Sequence, residues 1–301
     1  MGKRIVLVLL AVMMFAGIAV NQVAYASTDG GEGINEKLGV PIVVYGDTLT
    51  EEQEAEVREL LEVGSDEAID EYRVNGQDIA NYIDGNPDSR MYSSVKITPR
   101  EKGEGLEVNL VTPDNITQVT KEMYANALLT AGVEDAKVDV ASPVKVTGHS
   151  ALTGIYKAYD VQGVKLDEDR MGVASEELDV ATKLAEQAGI DKEKVSELFT
   201  EIKKEIAAQD PATKEEVEQI VDEKLKSLNI ELSPEDRQLL TDLFDKIRSL
   251  DINFDALQKQ LDEITSGIKD LVNDEGFWNS IINFFKSIFQ AIADLFNSIF
   301  K

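Results

Sequence analysis

The chain of 301 residues predicts an α+β or α/β N-terminal domain followed by an all-α helical bundle with an amphipathic C-terminal helix. Three observations predict this. Before about residue 160 the hydrophobic period keeps switching between 2 and 3.6, the mark of interleaved strands and helices, and beyond it only the helical period remains. Apart from Tyr25, every tyrosine lies between Tyr45 and Tyr159, whereas Trp278 and all phenylalanines except Phe15 lie between Phe199 and Phe300. Only Gly189, Gly267 and Gly276 follow Gly172. Such a shift of composition predicts two structural units meeting near residue 160, each large enough to close a core. Finally, Phe277 to Lys301 holds six of the ten phenylalanines and the single tryptophan.

The elements follow in order. Ile42-Val43-Val44-Tyr45 reads as a strand, and Thr50 with Gln53 forms a capping box ahead of a helix that buries Val57, Leu60 and Leu61. Glu71 to Val74 is extended, and Gln77 to Ile83 is a short helix closed by Asp84-Gly85. Val95 and Ile97 alternate on one strand and Leu106, Val108 and Leu110 on the next; the glycine-containing stretch Arg100 to Gly105 joins them as a hairpin. A helix over Lys121 to Ala131, stopped by Gly132, leads to a strand at Val138 and Val140, then a helix from Ser150 to Tyr159.

Everything later is helical. A helix near Ser175 to Ala188 joins the two units. Val195, Leu198, Phe199, Ile202 and Ile206 share one face; Val217, Ile220, Val221, Leu225 and Leu228 share another behind the capping box Thr213 to Glu216. Ser233-Pro234-Glu235-Asp236 supplies an N-cap, a first-turn proline and two acids ahead of Leu239, Leu240, Leu243, Phe244 and Ile247. Phe254, Leu257, Leu261, Ile264, Ile268 and Leu271 repeat at spacings of three and four, a seam for antiparallel packing.

The N-terminus reads as an export signal. Lys3 and Arg4 precede an uncharged run from Ile5 to Val20, and Ala24-Tyr25-Ala26 supplies a cleavage site before Ser27. The run is shorter than the roughly 20 apolar residues that span a bilayer. Residues 1–26 are therefore expected to be a cleaved signal peptide, 27–39 a flexible leader, 40–160 the α/β domain, 161–273 an acidic helical domain and 274–301 the terminal helix. The expected location is extracellular or associated with the cell envelope.

Loss of Lys3 and Arg4 takes the formal charge from −27 to −29. A polyanion would be repelled, which disfavours nucleic acid as a partner. There are no cysteines, so neither disulfides nor thiol chemistry enter. His149 is the only histidine, which rules out paired-histidine metal motifs, and its place just before Ser150 reads as a helix start. Asp167 to Gly172 begins like a calcium loop, but Met171 and Leu178 occupy positions where oxygen ligands are required. No catalytic, cofactor-binding or metal-binding residue is assigned.

Val44-Tyr45-Gly46-Asp47-Thr48-Leu49-Thr50-Glu51-Glu52-Gln53 forms one motif, and Met123 to Val133, Asp135-Ala136, Ser142-Pro143, Ala151 to Gly154 and Lys157 to Tyr159 form a second. Both resemble the YpuA-like family of predicted secreted proteins, a domain of unknown function in Bacillus and related Gram-positive bacteria. The resemblance implies export and a Gram-positive-type envelope or extracellular setting. It implies no catalytic residue.

The candidate contact element is the terminal strip. On a heptad grid Trp278, Phe285, Ile292 and Ile299 fall in one column, Ile281, Ile288 and Leu295 in the next, and Ile282, Phe289 and Phe296 beside them, with Phe277 and Phe300 at the ends. Asn279, Asn283, Lys286, Gln290 and Asp294 face away. So apolar a face requires cover, and three covers are open: the chain's own bundle, a partner or second copy, or a membrane surface. The expectation is a non-enzymatic interaction module. The alternative is a secreted hydrolase of polysaccharide or peptide using carboxylates of the α/β domain, which a deep cleft with converging acids would favour.

Overall fold

The computed structural model describes residues 39–64 and 68–273. The signal peptide, nearly all of the leader and the terminal helix expected from the sequence lie outside these residues.

The chain is a mixed α/β protein. Among the described residues its five strands are β1 (Ile42–Gly46), β2 (Asp70–Val74), β3 (Ser94–Pro99), β4 (Glu107–Leu110) and β5 (Ala136–Ala141). The helices among the described residues are α1 (Glu51–Leu60), α2 (Gly76–Ile83), α3 (Lys121–Ala131), α4 (Ser150–Val161), α5 (Glu168–Gln187), α6 (Lys192–Gln209), α7 (Lys214–Ser227), α8 (Pro234–Ser249) and α9 (Phe254–Asn273).

Local chemistry sets most boundaries. Thr50 and Gln53 close the expected capping box on α1, and Thr213 and Glu216 do the same on α7. Asn75 and Asp78 form a further box on α2, and Asp84 ends that helix in the left-handed conformation at φ 51°. Gly132, at φ 93°, ends α3. Asp167 accepts from the Arg170 amide and starts α5 several residues before the Ser175 expected from hydrophobic spacing. The acidic run rejected as a calcium loop is thus a helix cap.

The sheet has the order β2-β1-β3-β5-β4. β1 and β2 are parallel, as are β4 and β5, while β3 runs antiparallel to both of its neighbours, β1 and β5. Four strands therefore point one way around a single reversed one. This corrects the expected β3/β4 hairpin: β5 inserts between them, with Val138 opposite Ile97 on one side and level with Val108 on the other. Burial explains the choice. Five of the six β5 residues are buried, so β5 needs neighbours on both edges, whereas β4 alternates exposed and half-buried and suits an edge. The Asp135 carboxylate, accepting from the Gly103 and Gly105 amides at 3.0 and 2.8 Å, turns the connection away.

The two sheet faces differ. Ile42, Val44, Val95, Ile97, Val138 and Val140 look into the main core with residues of α2, α3 and α4. Val43 and Tyr45 look the other way and meet Val57 and Leu61 around α1. α4 lies close on the sheet at Gly154, where an added Cβ would stand 3.3 Å from Val95 Cγ2. The main core does not stop at residue 160: it runs without a break from Ile42 to Ile247. The last strand ends at Ala141, and the apolar packing continues past residue 160.

Candidate functional site

Three polar constellations have the burial or concavity that chemistry requires. The deepest joins α3, α5 and α6. Lys203 Nζ lies 2.6 Å from Glu177 Oε1, with side chains only 3% and 1% exposed, and donates to the Asn126 carbonyl at 2.7 Å and to Thr130 Oγ1 at 2.8 Å. Thr130 in turn donates to Glu177 Oε2 at 2.6 Å, and Asn126 Nδ2 donates to Thr200 Oγ1 at 2.9 Å. Burial pulls the Lys203 pKa down and Glu177 pulls it back up, with a net lowering. The adjoining space beside Met123 and Phe199 has no room for a water. The network is closed to substrate and holds helices in register.

His149 is the second. It stands at the N-cap of α4 without capping it, and its imidazole turns to α5 instead. Nε2 lies 3.1 Å from Thr182 Oγ1 and 3.3 Å from Asp179 Oδ1. The Thr182 hydroxyl donates to main-chain carbonyls of α5, so it accepts from His149, and Nε2 carries the proton. Burial lowers the His149 pKa, against the opposing pull of Asp179 and Glu186. These contacts pin α4 to α5.

The third is a groove of about 230 Å³. One wall is β4 and the residue before it (Leu106, Glu107, Val108), the floor is α3 (Lys121, Glu122, Ala125, Leu129), and the far wall is α9 (Gln260, Glu263, Ile264). α9 is tied across the end of β4: the Leu106 amide donates to Gln260 Oε1 at 2.8 Å, and Leu257 and Leu261 pack with Leu129. Apolar side chains make the interior and charged ones the rim. Each rim carboxylate has a basic neighbour, Glu107 with Arg100 at 3.5 Å, Glu122 with Lys121 at 3.6 Å and Glu263 with Lys259 at 3.8 Å. Nearby on α6, burial and a hydrogen bond with Asp191 push Glu193 up to about 7.

The groove combines residues from three distant segments, and sequence spacing gave no sign of it. The three-and-four spacing of α9 marks only a narrow seam for packing against a neighbouring helix. The residues that the sequence nominated for docking, Phe277 to Phe300, lie outside the described residues. Among the described residues no group of three or more His, Asp or Glu side chains is placed to hold a metal ion, and no helix is long and apolar enough to cross a membrane.

The sequence model of a family described as a protein of unknown function (DUF1002) matches residues 45–264. The chain belongs to this family. The DUF1002 match opens at Tyr45 in β1 and closes at Ile264 in the groove wall, so it takes in β2 to β5, the end of β1 and all three sides of the groove. A curated relative, the uncharacterized protein YpuA of Bacillus subtilis (strain 168), is 36% identical over 270 residues, covering 86% of this chain and 90% of its own. No solved structure matches. Membership in DUF1002 agrees with the resemblance carried by Val44 to Gln53 and Met123 to Val133, which fall on the β1–α1 turn and on α3.

Proposed function

We propose that this protein is an exported, envelope-associated interaction module without enzymatic activity. Its body is an α/β part followed by an all-helical part, and its contact element is the amphipathic segment at residues 277–300. The observation that carries the reading is a contrast of surfaces. Among the described side chains Val161, at 37%, is the one large apolar group exposed, and the others present an acidic, polar exterior. The terminal segment concentrates twelve large apolar residues from Phe277 to Phe300 on one helical face. Contact with an apolar surface is therefore assigned to the tail, and the body keeps it in solution.

The polar constellations support the non-enzymatic half of the reading. The buried network is closed, His149 is engaged with α5, and each carboxylate on the groove rim has a basic neighbour. The export half rests on Lys3, Arg4, the uncharged run and Ala24-Tyr25-Ala26.

Two measurements test it. Exported protein from a Gram-positive host is expected to begin at Ser27 and to fractionate with the envelope or medium; a retained Met1 in the cell interior refutes export. Full-length mature protein is expected to float with liposomes, neutral ones in preference to anionic ones because of the −29 charge, while protein truncated after Asn273 does not. Equal behaviour of the two forms refutes the tail as contact element.

A further inference from the structure

The groove between β4, α3 and α9 lies beside the last described helix, and the geometry of that helix says what reaches it. Resting on the reading that residues 277–300 are the contact element, we propose that in the free protein this segment folds back along α9 and seats one phenyl ring, Phe285 or Phe289, in the groove. The tail is thus stored on its own body when no external surface holds it.

Chain length sets the register. Ile264 precedes the end of α9 at Asn273 by nine residues, about 14 Å at 1.5 Å per residue. Asp274-Glu275-Gly276 has the composition of a short turn, with a helix-breaking glycine. A helix that begins at Phe277 and returns antiparallel draws level with Ile264 after a further nine residues or so, at Lys286. Ile282, Phe285 and Phe289 then fall on the same side by their spacing of three and four.

Size agrees with this register. A cavity of about 150 Å³ accepts benzene, so 230 Å³ seats a single ring and leaves the rest of the strip uncovered. Glu107, Glu122 and Glu263 stand around it, each beside its own cation, so the apolar interior is the part open to a guest.

The absence of cysteine makes the test clean. In the full-length mature chain, Val108→Cys is combined in turn with Ile282→Cys, Phe285→Cys, Phe289→Cys or Ile292→Cys, with Phe300→Cys as the distal control. Mild oxidation is expected to give a faster-migrating monomer for at least one of the middle two pairs and none for the control. Trp278, the only tryptophan, reports independently: Glu107→Lys/Glu263→Lys, which changes only rim residues, is expected to shift its emission to the red and to increase liposome flotation. No intramolecular crosslink in any pair, crosslinks only between chains, or an unmoved Trp278 emission each overturns the proposal. An intramolecular crosslink without flotation of any form would keep the storage and remove the membrane reading; flotation without crosslink would do the reverse.

Discussion

Removing Lys203 should cost this protein more than any surface charge does, and the structure sets the size of the loss. In Lys203→Met the ammonium disappears from among Glu177 Oε1, the Asn126 carbonyl and Thr130 Oγ1, all within 2.8 Å. Glu177, 1% exposed, is left to carry an uncompensated charge or to take up a proton. Breaking one side of such a pair costs about 3–5 kcal/mol, against about 0–1 for an exposed pair. The double variant Lys203→Met/Glu177→Leu should recover most of it, since replacing both partners with apolar groups is neutral or stabilising in comparable sites. Urea unfolding followed by far-ultraviolet circular dichroism measures both. A loss below about 1 kcal/mol for the single variant, within the exposed range, would show that water reaches the pair and would refute the closed network. The same experiment examines the shared core. The tyrosines of the body all precede residue 160, so their near-ultraviolet signal reports on the first half while the helical signal is dominated by the second. With one core from Ile42 to Ile247, both signals should change in a single transition.

Gly46→Ala should destabilise by about 1–3 kcal/mol, because its Cβ would stand 2.2 Å from the Met91 carbonyl oxygen; Gly172→Ala, with nothing within 4 Å, should instead leave stability unchanged or raise it slightly, and thermal unfolding distinguishes them. Asp135→Ala should cost about 1.5–3 kcal/mol by stranding the Gly103 and Gly105 amides, and a neutral result in urea would show that the turn does not need its anchor. Glu193 is raised to about 7 by burial first and then by its hydrogen bond with Asp191, so the folded state binds an extra proton between about 4.5 and 7. Its contribution is therefore complete below the unfolded value and lost as pH rises through 7. Glu193→Gln should match the parent at pH 5 and melt higher at pH 8; equal melting temperatures at pH 8 would contradict this.

Short-range chemistry was legible and long-range pairing was not. Thr50 with Gln53, Thr213 with Glu216 and Ser233 with Pro234 could be read as caps because each acts within four residues. The Asn75/Asp78 box follows the same rule but escaped notice, since its helix has only eight residues. The hairpin reading failed because Arg100 to Gly105 has turn composition whether or not its flanking strands pair, and the competitor, β5, lies some 30 residues further on. The buried ion pair was equally out of reach: Lys203 and Glu177 look like ordinary helix-surface residues until α3 is laid across them. The last strand ends at Ala141 and one core runs on to Ile247, because composition records which residues fill a core and not where that core ends.

The reversed strand at the centre of the sheet imposes a schedule on synthesis. β3 is finished at Pro99, yet the strand that covers its second edge is not complete until Ala141. At about 5–20 residues per second, the residues that pair with that edge are made roughly 2–8 s after it. The waiting strand reads Ser94-Val95-Lys96-Ile97-Thr98-Pro99, a β-branched run interrupted by a lysine and closed by a proline. Those two residues are among the commonest guards of exposed strand edges, here placed on a strand that ends up interior. In the finished sheet Lys96 is buried and its ammonium donates to the Glu62 carbonyl at 3.1 Å, so the same side chain that guards the open edge later ties β3 to the end of α1.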